Sequence, residues 1–181
     1  MQKSYVLWFT GLSGAGKTTL AKKLQLLLGQ SGVNSYILDG DVLRKSLNRD
    51  LAFSAADRKE NIRRAGEVAH ILVEAGVVVL AAFISPYRED RQMVRHLFSP
   101  GEFIEIYVKC PLSICESRDP KGLYRQARDG KIREFTGISS VYEPPENPEL
   151  IVETFGQSID DSVRQIVQYL RIRNLLPPGE K

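Results

Sequence analysis

The chain has 181 residues, 43% hydrophobic and 26% charged, with 25 Lys and Arg against 22 Asp and Glu for a formal charge of +3. That length fits one domain with a sizeable core, and so mild a charge does not point to nucleic acid. No apolar run is long enough to cross a membrane, and two cysteines, Cys110 and Cys115, are too few for a disulfide framework or a zinc site.

Tyr5 to Thr10 reads as a buried strand, so close to Met1 that no signal peptide fits ahead of it. A cytoplasmic protein with reduced thiols is expected. Lys17 to Leu28 follows as a helix, with Leu20, Leu24, Leu27 and Leu28 on one face and Gly29 or Gly32 to close it. Ser35 to Asp39 is a second short strand. Ser54 and Asp57 have the spacing of a capping box that starts a helix ending near Gly76. Val77 to Phe83 is apolar enough for a central parallel strand. Ser85-Pro86 reads as the N-cap and first position of another helix. Strand Phe103 to Val108, a short helix Pro111 to Ser117 and a helix near Lys121 to Arg128 come next. The proline-rich stretch Val141 to Glu149 is loop, Leu150 to Glu153 a last strand, and the final helix starts near Ser158. This alternation predicts an α/β fold: a three-layer sandwich with a central parallel sheet and helices on both faces. Residues 1–176 are expected to form a single domain, and 177–181 a loose tail. Ligands should bind at the carboxyl ends of the strands.

Gly11-Leu12-Ser13-Gly14-Ala15-Gly16-Lys17-Thr18 fits the phosphate-loop pattern G-x-x-x-x-G-K-[ST] between a strand and an amphipathic helix. Backbone N–H groups of such a loop, with the helix N-terminus behind them, cradle phosphates. Lys17 should reach the β- and γ-phosphates of ATP, and Thr18 should hold Mg²⁺. The strand ending Ala81-Ala82-Phe83 lacks the Asp of a usual Walker B, and no Asn-Lys-x-Asp run marks a guanine-specific GTPase. The carboxylates must come from elsewhere, and Asp39-Gly40-Asp41 sits at the second strand's tip. If extended geometry persists, both face one side; one could hold a magnesium-bound water and the other accept a proton. A plain Asp-Gly turn fits the spacing equally well. Two basic clusters, Arg44 to Arg64 and Arg118 to Arg133, beside a phosphate loop suggest a small polyanionic ligand.

Seven blocks in order resemble the adenylylsulfate kinase family of P-loop kinases: Gly11 to Thr19, Asp39 to Asp41, Phe53 to Arg58, Glu60 to Arg64, Phe83 to Arg88, Lys121 to Tyr124 and Phe135 to Ile138. The resemblance implies phosphorylation by Mg-ATP of the ribose 3′-hydroxyl of adenosine 5′-phosphosulfate (APS), giving 3′-phosphoadenosine 5′-phosphosulfate (PAPS) and ADP in sulfate assimilation. It implies ATP contacts along Gly11 to Thr19 and at Arg118. It implies acceptor contacts at Asp39, Asp41, Arg44, Phe53, Arg58, Asn61, Ile84, Ser85, Lys121, Phe135, Thr136 and Gly137, with Phe53 and Phe135 sandwiching the adenine. Asp41 is the favoured base or magnesium-water anchor, and residues 118–137 resemble a mobile lid. Ser85 matches a serine discussed in the family as a phosphoenzyme site; with no base beside it in sequence, direct in-line transfer is expected, with Ser85 a helix cap. A homodimer and a functional link to ATP sulfurylase are further implications. Val42 departs from the family's Asp-Gly-Asp-Asn. The competing readings are another small P-loop kinase, acting on a nucleotide or metabolite, and a non-catalytic ATP-binding module.

Overall fold

The computed structural model describes residues 3–176; the expected tail at 177–181 lies outside them. Five parallel strands form one sheet in the order β2-β3-β1-β4-β5. They are β1 (Val6–Thr10), β2 (Ser35–Asp39), β3 (Val78–Ala82), β4 (Phe103–Lys109) and β5 (Leu150–Glu153). Helices α1 (Lys17–Gln30), α2 (Gly40–Lys45), α3 (Ala55–Glu74), α4 (Arg88–Arg95), α5 (Leu112–Arg118), α6 (Leu123–Arg128) and α7 (Ile159–Ile172) connect and cover them.

The period of two in β1 divides the core. Leu7 and Phe9 point into the layer packed by Leu20, Leu24 and Leu28 of α1 and by Val163, Ile166 and Leu170 of α7. Val6 and Trp8 point the other way, among Ile62, Ala65 and Ala69 of α3 and Val94 of α4. Trp8 stacks on Phe83, with ring centroids 5.1 Å apart, and on Phe103 at 5.8 Å. With both faces covered, β1 and β3 are buried at every position, which is why they read as continuous apolar runs. Gly66 lets α3 and α4 approach closely, because a Cβ there would stand 2.7 Å from a Val94 methyl.

Local chemistry sets most boundaries. Ser54 and Ser158 each accept a hydrogen bond from the backbone N–H three residues on, at Asp57 and Asp161. Helix α1 runs through Gly29, and Gly32, at φ +71°, follows in the turn. Two expectations need correction. Ser85 is not a helix cap: α4 begins at Arg88 with Tyr87 at its N-cap, because Ser85 is turned inward at φ +39°. The extended geometry of β2 does not persist through Asp41: α2 starts at Gly40, with Asp39 as its N-cap accepting from the Asp41 N–H.

Candidate active site

The phosphate loop turns from β1 into α1 under tight constraint. A Cβ on Gly11 would stand 2.5 Å from the Val108 carbonyl oxygen, and one on Gly14, at φ +76°, 2.9 Å from that of Cys115. Gly16 caps α1 without a side-chain bond, so the first N–H groups of the helix remain open to an anion. The loop's outer carbonyls are tied down from three directions. Tyr124 Oη donates to Ser13 O at 2.9 Å, Arg118 Nη1 to Gly14 O at 3.3 Å and Thr154 Oγ1 to Ala15 O at 2.7 Å. Such ties leave the inward N–H groups preorganised. Lys17 donates to the carbonyls of Gly11 (2.9 Å) and Leu12 (2.7 Å) and is only 8% exposed. Burial pulls its pKa down to about 8, with Lys121 adding to the fall and the Asp41 and Asp39 carboxylates opposing it.

The two carboxylates part company because α2 begins between them. Asp39 accepts from Thr18 Oγ1 at 2.7 Å through one oxygen and from the Asp41 N–H at 2.9 Å through the other. Asp41, in the first turn of α2, faces across the cleft and pairs with Lys121. Thus Asp39, not Asp41, bonds the hydroxyl of Thr18, the residue expected to hold Mg²⁺.

A cleft of about 1510 Å³ joins the phosphate loop to the residues expected to contact an acceptor. Arg44, Phe53, Arg58, Asn61, Ile84, Ser85, Lys121, Phe135 and Thr136 all line it, with both carboxylates, Thr19 and Arg118. The Arg44 guanidinium lies 4.3 Å from the centre of the Phe53 ring and donates to Ala52 O at 2.9 Å. Burial and the neighbouring Arg58 charge lower the Arg44 pKa. Arg58 is nearly buried: it donates to Phe53 O at 2.8 Å, to Thr136 Oγ1 at 2.6 Å and to Glu134 O. It therefore ties Phe53 to the segment carrying Phe135. Asn61 accepts from the fully buried Asn48 at 3.0 Å. Phe135 meets Tyr124 edge-on, with centroids 5.0 Å apart. Gly137 does not line the cleft; it packs behind the loop, where a Cβ would stand 3.1 Å from Leu12 and 3.2 Å from Leu112. Leu12 faces that same rear side, and Val42 is an exposed residue on the rim.

Ser85 lines the cleft but is 1% exposed. Its hydroxyl donates to Thr10 Oγ1 at 2.9 Å and accepts from Trp8 Nε1 at 3.2 Å. Neither partner is a base.

The model for the family described as adenylylsulphate kinase matches residues 3–153. The chain belongs to the adenylylsulphate kinase family. An adenylyl-sulfate kinase of Geotalea daltonii is 58% identical over 171 residues, covering 94% of this chain and 84% of that protein. The structure of a Mycobacterium tuberculosis APS kinase in complex with AMPPNP and APS superposes with a TM-score of 0.90 at 43% identity, covering 94% of this chain and 99% of that one. A gluconokinase of Sinorhizobium meliloti, at 17% identity and a TM-score of 0.65 over 97% of each chain, shares the fold alone. As an adenylylsulphate kinase family member the chain is an ATP-dependent kinase.

Several residues of this kinase cleft escaped the sequence reading. Thr154, Gln157, Ile159 and Ser162, beyond the tip of β5, form the wall next to Arg118. The rule that ligands sit at strand carboxyl ends, applied to β5 as it was to the other strands, would have found them. Asn48 and Thr10 carry no local pattern, because their roles come from partners distant in sequence.

Proposed function

We propose that this chain phosphorylates the ribose 3′-hydroxyl of adenosine 5′-phosphosulfate with ATP. The observation carrying this reading is that one cleft is lined by a phosphate loop, an arginine–phenylalanine group and two carboxylates, of which Asp39 bonds Thr18 of the loop. A nucleotide acceptor needs an aromatic face for its base and guanidinium forks for its anionic groups. Phe53 and Phe135 supply the first and Arg44 the second.

In the proposed reaction the acceptor 3′-oxygen forms a bond to the γ-phosphorus as the β–γ bridging P–O bond breaks, and ADP leaves. The 3′-hydroxyl proton passes to the Asp41 carboxylate, the one facing the acceptor side. Lys17, protonated, stabilises the negative charge on the transferring phosphoryl oxygens. The site suits Mg²⁺: the Thr18 hydroxyl donates its hydrogen bond to Asp39, which leaves its oxygen lone pairs available to a hard cation. When bound, Mg²⁺ neutralises charge on the phosphate oxygens. Asp39 rather than Asp41 would hold a metal-bound water. Ser85 takes no covalent part, since its hydroxyl is buried and hydrogen-bonded on both sides without a base. Residues 118–137 act as a lid that Lys121 and Arg58 fasten to the other wall, excluding water from the phosphoryl donor.

A homodimer is proposed on the family resemblance, and light scattering at micromolar concentration tests it. Work in the cytoplasm is proposed because ATP is available there and buried free thiols such as Cys110 and Cys115 stay reduced. The deciding experiment measures ADP release from Mg-ATP with APS as acceptor, alongside AMP, dTMP and gluconate. Turnover confined to APS, with phosphate on the 3′-oxygen, is expected. Turnover only with another acceptor would overturn the substrate. ATP binding without turnover on any of them would make the chain a binding module.

A further inference from the structure

We propose that Arg91, which lies outside the cleft, is a positioning residue for the phosphoryl acceptor: it holds the strained Ile84-Ser85 turn in place. The inference rests on the acceptor site proposed above and names a residue that acts on it from behind.

Ser85 sits at φ +39°, in a region that L side chains rarely adopt. It also precedes Pro86, whose ring pushes the preceding residue toward extended conformations. Two local rules are therefore broken at one residue, and surrounding contacts must impose the conformation. The structure shows those contacts. Arg91 is 2% exposed, and its guanidinium reaches in three directions: Nη1 to Ser85 O at 2.6 Å, Nη2 to Glu143 O at 2.7 Å and Nε to Glu105 Oε1 at 2.7 Å. Glu105, itself buried on β4, takes Arg95 at 3.3 Å on its other oxygen. On the far side Thr10, the residue before Gly11, donates to Ile84 O at 2.8 Å and lies 3.0 Å from Tyr142 Oη. Tyr142 is the neighbour of Glu143, whose carbonyl Arg91 holds. The circuit therefore closes through Thr10, the turn, Arg91 and the 142–143 backbone. It fixes Ile84 and Ser85, on the acceptor wall, relative to the first residue of the phosphate loop. A fork with three fixed directions suits this task, and the single ammonium of lysine does not.

The test compares Arg91→Lys with the wild type in steady-state kinetics using APS and Mg-ATP, with melting temperatures in parallel. The expected result is a rise in KM for APS of about tenfold, the size of one lost charge-assisted hydrogen bond. KM for ATP should stay within about twofold, because the phosphate loop keeps its own ties. Ser85→Gly and Ser85→Ala are then placed in the Arg91→Lys background. Both remove the hydroxyl, but only glycine relaxes the positive φ, so the glycine double variant should have the lower KM for APS. If Arg91→Lys does not fold, Arg91→Gln combined with Glu105→Gln removes both buried charges together, and the same comparison is made there. Equal behaviour of the glycine and alanine variants, or parallel shifts in both KM values, would overturn the proposal and leave Arg91 a structural residue only. A wild-type protein inactive toward APS would instead sink the acceptor site itself, and this inference with it.

Discussion

Lys121, just before α6, pairs with Asp41 in the first turn of α2, so the segment 118–137 is joined to the carboxylate proposed as the base. Both side chains are about half exposed, at 50% and 57%. A pair this wet is worth about 1 kcal/mol at most, too little to hold the proposed lid shut by itself.

Lys121→Ala is therefore expected to leave thermal stability within about 1 kcal/mol of the wild type, since an exposed pair contributes no more than that. Its effect should appear in kcat/KM for APS, which falls because the lid closes less often over the acceptor. Calorimetry and steady-state kinetics check the two halves. A large drop in melting temperature with unchanged kcat/KM would reverse the assignment.

Lys17→Ala removes the cation at the transferring phosphate, and turnover should fall on the order of a hundredfold or more, the scale of losing one preorganised charge-stabilising group. The fold should survive, because the Lys17 ammonium bonds two loop carbonyls and no other side chain. Single-turnover kinetics with a folded variant measure this directly; near wild-type rates would remove Lys17 from the mechanism.

The depressed pKa of Lys17, about 8, gives a pH prediction. ATP is met by the charged form, so kcat/KM for Mg-ATP should decline as pH rises through about 8. Bound phosphates raise the lysine pKa again, so kcat at saturating ATP should hold to higher pH. For stability the sign is opposite. The unfolded chain binds the Lys17 proton more tightly than the folded one does, so this group's contribution to stability rises with pH between about 8 and the ordinary lysine value of 10.5. The burial penalty is fully present below that window. Rate profiles from pH 6.5 to 9.5 decide the kinetic part, and a flat kcat/KM across that range would contradict it.

Ser85→Ala should remain an active kinase, within about one order of magnitude in kcat, because no covalent step passes through the hydroxyl. It should nonetheless lose about 1–3 kcal/mol of stability, since the buried Trp8 Nε1–H is left without its acceptor. Thermal melts and initial rates separate the two effects. A folded but inactive Ser85→Ala protein would revive a phosphoserine intermediate.

Much of this protein was legible in the chain itself. The apolar runs of β1 and β3, the serine caps at Ser54 and Ser158 and the phosphate loop are written in neighbouring residues, because period, cap and turn are properties of a few consecutive side chains. The residues proposed to contact the acceptor lie, Arg44 apart, in the seven ordered blocks, and the cleft gathers all of them but Gly137. Three features were decided only by the tertiary structure. Asp39 and Asp41 could not be told apart by spacing, since their separation depends on α2 beginning at Gly40 and on Thr18 and Lys121 arriving from elsewhere. Ser85 followed by Pro86 has the form of a helix cap, yet Trp8, Thr10 and Arg91 turn it inward against its local preference. Arg58, read as an acceptor contact, also ties Phe53 to the strip that carries Phe135. In each case at least one deciding contact joins residues far apart in the chain, Thr18 with Asp39, Lys121 with Asp41, Trp8 with Ser85 and Arg58 with Glu134, and no short window of sequence contains both partners of it; at Ser85 such contacts also outweigh a local preference of about 1–3 kcal/mol.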